Sequence, residues 1–159
     1  DVNDWWDNPA TWRVLYYDGA ILPDEEAILP EMIDDEIFRS FAMVFYPRMM
    51  LPDPADLLKE SKWAHYEREL YVELYDRFLY MQKWFFDDPQ NVVPCHWFRG
   101  YCQSLQNPMT PSGKNLLLQL DSDDKVFYWV NGSGRLYYFI SDEDLRRRDF
   151  SNVHFEIES

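Results

Sequence analysis

The C-terminal third of the chain constrains the fold most, because several regular elements follow one another there with short connections. Residues 116–121 alternate in a way that predicts a strand with Leu116, Leu118 and Leu120 on one apolar face, running into an acidic turn. Residues 126–130 are β-branched or aromatic and predict a second strand. The Asn-Gly-Ser-Gly turn at 131–134 tolerates positive φ, which predicts a hairpin into a third strand over residues 135–140.

A short helix and a closing strand are predicted next. Ser141 and Asp144 form an S-x-x-D capping pattern, so residues 142–149 are expected to be helical, with acidic residues at the start and arginines at the end. Val153, Phe155 and Ile157 then alternate with polar residues. This alternation predicts a final strand with one buried and one solvated face.

Upstream, residues 54–86 predict one long helix. Its apolar residues recur every three or four positions and make a wide aromatic face, which suits packing across a sheet or, alternatively, a groove for a partner helix. Residues 40–51 predict an apolar strand that Pro47 places at an edge or a bulge. The predicted fold class is therefore α+β, with mainly antiparallel sheet packed against one long helix and a short C-terminal helix.

The C-terminal pattern also matches a known family. That family has an LLLQ strand, then a W-G-D-x-G-R-L-Y-F-F-I hairpin, then a D-L-x-x-x-D-F helix. The strand is matched by residues 117–121, the hairpin by Trp129, Gly132 and residues 134–140, and the helix by Asp144, Leu145, Asp149 and Phe150. Residues 12–18, 51–54 and 100–106 match more loosely. The chain thus resembles the YwqG-like family of bacterial proteins, although Cys102 stands where that family has proline and Val130-Asn131 replaces glycine-aspartate. The resemblance implies an α+β fold without an established enzymatic activity.

Length and composition set the class of protein. A chain of 159 residues with 18% aromatic residues suits a single domain, 1–159, with a dense core. Because family domains usually have further sequence ahead of residues 12–18, we expect the domain to lack some N-terminal sequence. No apolar stretch approaches the length of a membrane span, and the two cysteines make no disulfide framework. A soluble, cytoplasmic protein is expected.

Charge is unevenly distributed along the chain. The net charge is −14, and residues 1–60 hold 14 acidic against four basic residues, a net of −10. Such a field repels nucleic acid and anionic membranes and steers a basic protein partner, for instance a toxin neutralised by an immunity protein. The alternative is that the acidic surface only maintains solubility. The candidate partner-binding residues are Asp24, Glu25, Glu26, Glu31, Asp34, Asp35 and Glu36.

A second hypothesis is a small-ligand module. If the 100–106 segment meets the 129–135 hairpin, then Arg99, Gln106, Trp129 and Arg135 line one cleft with polar groups and an aromatic wall. The alternative is that Gln106 and Arg135 serve buried backbone groups between adjacent loops.

Catalytic and metal sites have weaker patterns. Cys95, His96 and Cys102 do not have the spacing of common zinc sites. Ser133 lies in a turn between strands, unlike a hydrolase nucleophile, and residues 121–124 lack the glycine and glutamate of a calcium loop. We therefore predict no catalytic residue, metal or cofactor. A third hypothesis, an undetected hydrolase or metalloenzyme, requires His65, His96 or His154 beside a carboxylate or cysteine in a cleft.

Overall fold

A computed structural model describes Val14, Tyr16 and residues 43–59, 62–86, 96–106, 109–123 and 134–158. These ranges contain three helices and one four-stranded sheet. In chain order the elements are α1 (Pro54–Lys59), α2 (His65–Phe86), β1 (Trp97–Phe98), β2 (Asn115–Asp121), β3 (Arg135–Ile140), α3 (Asp142–Arg147) and β4 (His154–Glu158). The described part is therefore α+β, as predicted.

The sheet is antiparallel throughout and has the order β1-β2-β3-β4. The pairing of β2 with β3 is irregular, because Leu116 lies opposite Phe139 whereas Leu118 lies opposite Tyr138. Leu117 is thus an extra residue in a bulge. The bulge shifts the side chains that follow it to the opposite face of the sheet.

The bulge explains why the predicted face of three leucines is wrong. Leu116 is buried with Cys102, Tyr137 and Phe139 in one core cluster. Leu117 is buried in a second cluster with Ile140 and Val153. Leu118, Leu145 and Phe150 are among the partly buried side chains that pack against this second cluster. Both sides of β2 are consequently covered, so strict alternation does not describe it.

Helix α3 forms where the local sequence predicts it. Ser141 is extended, with φ −73° and ψ 153°, and its Oγ accepts a hydrogen bond from Asp144 N at 3.0 Å. Arg148 adopts a left-handed conformation with φ 58° and closes the helix through its backbone N–H. The capping pattern is thus confirmed, and the helix ends two residues before the predicted Asp149.

The predicted helix over residues 54–86 is two helices. Asp53 precedes α1 and caps its start, since its Oδ1 accepts a hydrogen bond from Ala55 N at 2.8 Å. Ala64 N donates to Glu67 Oε2 at 2.7 Å, so a new N-terminal cap begins α2. Tyr75 is buried, but Leu70 and Leu74 on α2 are more than half exposed. Packing of this helix across the sheet stays a prediction.

Two other predicted strands have different outcomes. Residues 43–51 have no strand structure, although their apolar composition predicted one. Residues 126–130 lie outside the described residues. None of the helices in the described ranges combines the length and the apolar composition that a membrane crossing requires.

Candidate functional site

Glu158 organises a polar network on one side of the sheet. Its carboxylate accepts hydrogen bonds from Leu105 N at 2.6 Å, Gln106 N at 3.2 Å and Tyr137 Oη at 2.9 Å. Glu158 is one of the polar residues on the face of the final strand that was predicted to be solvated, and that prediction is wrong at this position because the residue is only 8% exposed. The charge is compensated by a set of directed donors, the arrangement that buried carboxylates require.

Arg135 extends this network toward β2. Its Nη1 donates to Gln103 O at 2.8 Å, and its Nη2 lies 3.1 Å from Asp121 Oδ2. Gln119 is fully buried and accepts from Gln103 N at 2.9 Å through its Oε1. The residues 103–106 are therefore held against the sheet by side chains from β2, β3 and β4.

Burial and the carboxylate together set the ionisation of Tyr137. Burial is the largest cause that raises the pKa of its phenol above the ordinary value, and the hydrogen bond to Glu158 raises the pKa further. The phenol therefore stays protonated at neutral pH, which keeps it available as a hydrogen-bond donor to Glu158.

The four predicted ligand residues do not all fall in this network. Gln106 contributes its backbone N–H, and Arg135 contributes its guanidinium. Arg99 lies at the other end of the β2–β3 pair, where its N–H donates to Leu117 O at 3.1 Å and its Nη2 lies 3.7 Å from Asp142 Oδ1. Trp129 lies outside the described residues. The structure thus brings Gln106 and Arg135 together and places Arg99 elsewhere.

Cys102, next to the 103–106 segment, contacts Asp56 on α1. Its Sγ lies 3.3 Å from Asp56 Oδ2 and 3.2 Å from Thr110 Oγ1, and Thr110 donates to the same carboxylate oxygen at 2.5 Å. Burial raises the pKa of the Cys102 thiol to about 11. A thiol that stays protonated at neutral pH is a weak nucleophile, which indicates a structural role for Cys102 rather than a catalytic one.

The three histidines each lie beside one carboxylate. His65 contacts Glu69 on the exposed side of α2, and His154 Nε2 lies 2.7 Å from Glu156 Oε1. His96 accepts from Asp121 N at 3.1 Å through Nδ1, and its Nε2 lies 3.6 Å from Asp123 Oδ2. Within the described ranges, no group of three or more histidine, cysteine or acidic residues could hold a metal ion.

The other predicted residues lie outside the described part of the chain. These are the seven acidic residues of the candidate partner site, Asp24, Glu25, Glu26, Glu31, Asp34, Asp35 and Glu36, together with Cys95, Asp124 and Ser133.

Family membership is decided by the sequence as a whole. A family model described as a domain of unknown function, DUF1963, matches residues 1–158. The chain belongs to the DUF1963 family. No curated protein matches this DUF1963 chain. The membership agrees with the resemblance to an uncharacterised family, and it assigns no activity to the residues described above.

Sequence reasoning missed three members of the network in this DUF1963 domain, namely Gln119, Tyr137 and Glu158. Gln119 stands within a run of leucines, which is the one local sign that a polar side chain is needed inside the fold. Tyr137 and Glu158 are ordinary strand residues by pattern. Their role follows from the pairing of β3 with β4, which local periodicity does not reveal.

Proposed function

We propose that this DUF1963 domain is a non-enzymatic binding protein that recognises a basic protein through its acidic N-terminal part. In its concrete form it is a YwqG-like bacterial protein that acts in the cytoplasm as an immunity protein and neutralises a basic toxin. The observation that carries the proposal is the segregation of charge, since residues 1–60 have a net charge of −10 within a total of −14.

The pairing of acidic residues elsewhere supports this choice of segment. On α2, Glu73 lies 2.5 Å from Arg77, one helical turn away. On α3, Glu143 pairs with Arg147 in the same manner. Residues 24–36, by contrast, hold seven acidic residues and no basic residue. The basic residue nearest to them in sequence is Arg39, so one positive charge stands against seven negative charges. Most of the charge of this segment therefore contributes to a field that attracts a basic partner.

The test is capture of a basic protein by the whole chain at two salt concentrations. We expect a basic protein to be retained at about 0.1 M salt and released at about 1 M, where the screening length falls from ~10 Å to ~3 Å. The variant Asp34→Asn/Asp35→Asn/Glu36→Gln is expected to bind more weakly, mainly through a slower association rate.

A matched control changes the charge by the same amount at another place. The variant Glu69→Gln/Glu73→Gln/Asp76→Asn removes three carboxylates from the exposed side of α2 and is expected to bind like the parent chain. Equal weakening by both variants would mean that binding depends on the net charge of the chain and not on the carboxylates at 34–36. Retention that does not change with salt or with the 34–36 variant would contradict the proposal.

A further inference from the structure

A cavity of about 880 Å³ lies between residues 43–50 and the β1 region, away from the Glu158 network. This volume lies within the range of ordinary small-molecule sites, which is about 300–1,000 Å³. The described lining includes residues 44–48, Met50 and residues 96–101. The cavity includes Arg99, but none of the other three residues that the sequence suggested for a ligand is among its described lining.

The walls of this cavity are aromatic and its charged side chains are cationic. Phe45, Tyr46, Phe98 and Tyr101 contribute rings, and the guanidinium carbon of Arg48 lies 5.1 Å from the centre of the Trp97 ring. Arg48 and Arg99 carry positive charge, and none of the described lining residues carries a carboxylate. The described lining is thus cationic, although the whole chain has a net charge of −14.

Two buried donors at the cavity lack acceptors. Trp97 Nε1 and Arg99 Nη1 are shielded from solvent, and neither has a hydrogen-bond partner in the described part of the chain. Buried donors of this kind are rare in folded proteins, and an ordered water or a bound ligand would supply the missing acceptor. Both donors favour a ligand that supplies acceptor oxygens, and Arg99 favours one that is negatively charged.

The backbone holds Arg99 in an uncommon conformation. Arg99 has φ 67° and Gly100 has φ 88°, so two consecutive residues are left-handed. A Cβ atom at residue 100 would lie 2.6 Å from Met50 Sδ, which shows that the 43–50 segment approaches this turn closely. A non-glycine residue in this region costs conformational energy, and such positions concentrate at binding sites.

We propose that this cavity binds a small organic anion, in which a carboxylate or a phosphate is joined to a flat apolar body. Arg99 and the Trp97 N–H supply donors to the anionic group. The aromatic walls, with Arg48 beside Trp97, accommodate the flat body. None of the described lining residues belongs to the acidic segment at 24–36, so failure of the basic-protein proposal would leave this one standing.

Calorimetric titration of the whole chain with 2-naphthoate, 1-naphthyl phosphate and the neutral 2-naphthamide tests this proposal. We expect at least one anion to bind, and the amide to bind about tenfold or more weakly, because it lacks the charge-assisted hydrogen bonds. Binding of only one anion identifies carboxylate or phosphate as the recognised group. No binding of either anion, or equal binding of the amide, would overturn the proposal.

Variants locate the binding in the cavity. Arg99→Gln is expected to weaken binding of the anion about tenfold, whereas Arg146→Gln, which removes an exposed arginine from α3, is expected to leave it unchanged. Since Arg99 also approaches Asp142, a thermal melt of each variant checks its folding. Trp97→Phe keeps a ring and removes the N–H, and it is expected to weaken binding as well. Parental affinity in both Arg99→Gln and Trp97→Phe would place the ligand elsewhere and overturn the proposal.

Discussion

Tyr137 donates a hydrogen bond to Glu158 across neighbouring strands, with 2.9 Å between Tyr137 Oη and Glu158 Oε2. The same carboxylate oxygen accepts from Leu105 N, so one buried group connects the sheet to the 103–106 segment.

Replacing Glu158 by glutamine is expected to destabilise the fold by about 2 kcal/mol. The amide has one acceptor oxygen for three donors, and its NH₂ group would face a donor. The measurement is urea unfolding of the parent and Glu158→Gln. Glu156→Gln, on the more exposed side chain two residues earlier, serves as control and is expected to cost less than about 1 kcal/mol. Equal losses in both variants would contradict the network.

Stability is expected to fall at high pH because of Tyr137. Because the pKa of Tyr137 is raised in the folded state, the stability that its phenol contributes is fully present below the ordinary tyrosine pKa of about 10. This stability is lost as pH rises through the folded value. Urea midpoints at about pH 8 and about pH 11 should therefore differ less for Tyr137→Phe than for the parent. Tyr66→Phe, at an exposed position on α2, should behave as the parent does.

The Arg135–Asp121 pair should be coupled more strongly than a surface pair. Its side chains are 13% and 14% exposed, whereas those of Arg77 and Glu73 are 75% and 58% exposed. A double-mutant cycle is expected to give about 2 kcal/mol for Arg135 with Asp121 and about 0.5 kcal/mol for Arg77 with Glu73. Similar values for both pairs would show that burial adds nothing here.

The thiol of Cys102 is expected to react slowly in the native state. Its pKa of about 11, against an ordinary value of 9.0, leaves about 100-fold less thiolate at neutral pH. The chain has two cysteines, so a Cys95→Ser variant isolates this thiol for reaction with a disulfide reagent. We expect fast reaction only after unfolding in urea. Equal rates in the folded and unfolded chain would mean that the thiol is accessible.

The cap of α3 should contribute about 1 kcal/mol. Ser141→Ala removes the oxygen that accepts from Asp144 N, whereas Ser141→Thr keeps an oxygen at this position. Thermal melts are expected to show a loss for alanine that threonine largely restores. Ser112→Ala, at an exposed turn residue, controls for the loss of a serine hydroxyl in general.

Local signals explain which parts of the fold the sequence could predict. The cap of α3 depends on residues three positions apart, and the start of β3 follows a turn signal, so both were predicted near their observed bounds. The break between α1 and α2 was missed because no proline or glycine lies in residues 59–64. The signal was Glu67, whose side chain caps Ala64.

The polar network could be predicted only in part, since its contacts join distant positions. Gln106 and Arg135 are predicted because they flank the 100–106 segment and the 129–135 hairpin, and both lie beside Glu158. Gln119 and Gln103 are 16 residues apart, and Glu158 and Leu105 are 53 apart. Periodicity within one strand cannot indicate such partners. The bulge at Leu117 likewise depends on the pairing of β2 with β3 rather than on the sequence of β2 alone.

The wide separation of the Glu158 contacts has a consequence for the folding pathway. Helix α3 and the β3–β4 pair can form through contacts close in sequence, whereas the bonds from Glu158 to residues 105 and 106 span 53 and 52 residues. Closing these long loops costs more chain entropy before any bond repays it. These two bonds should therefore form late, after the transition state. They would then act mainly by slowing unfolding, and they would leave the rate of folding almost unchanged.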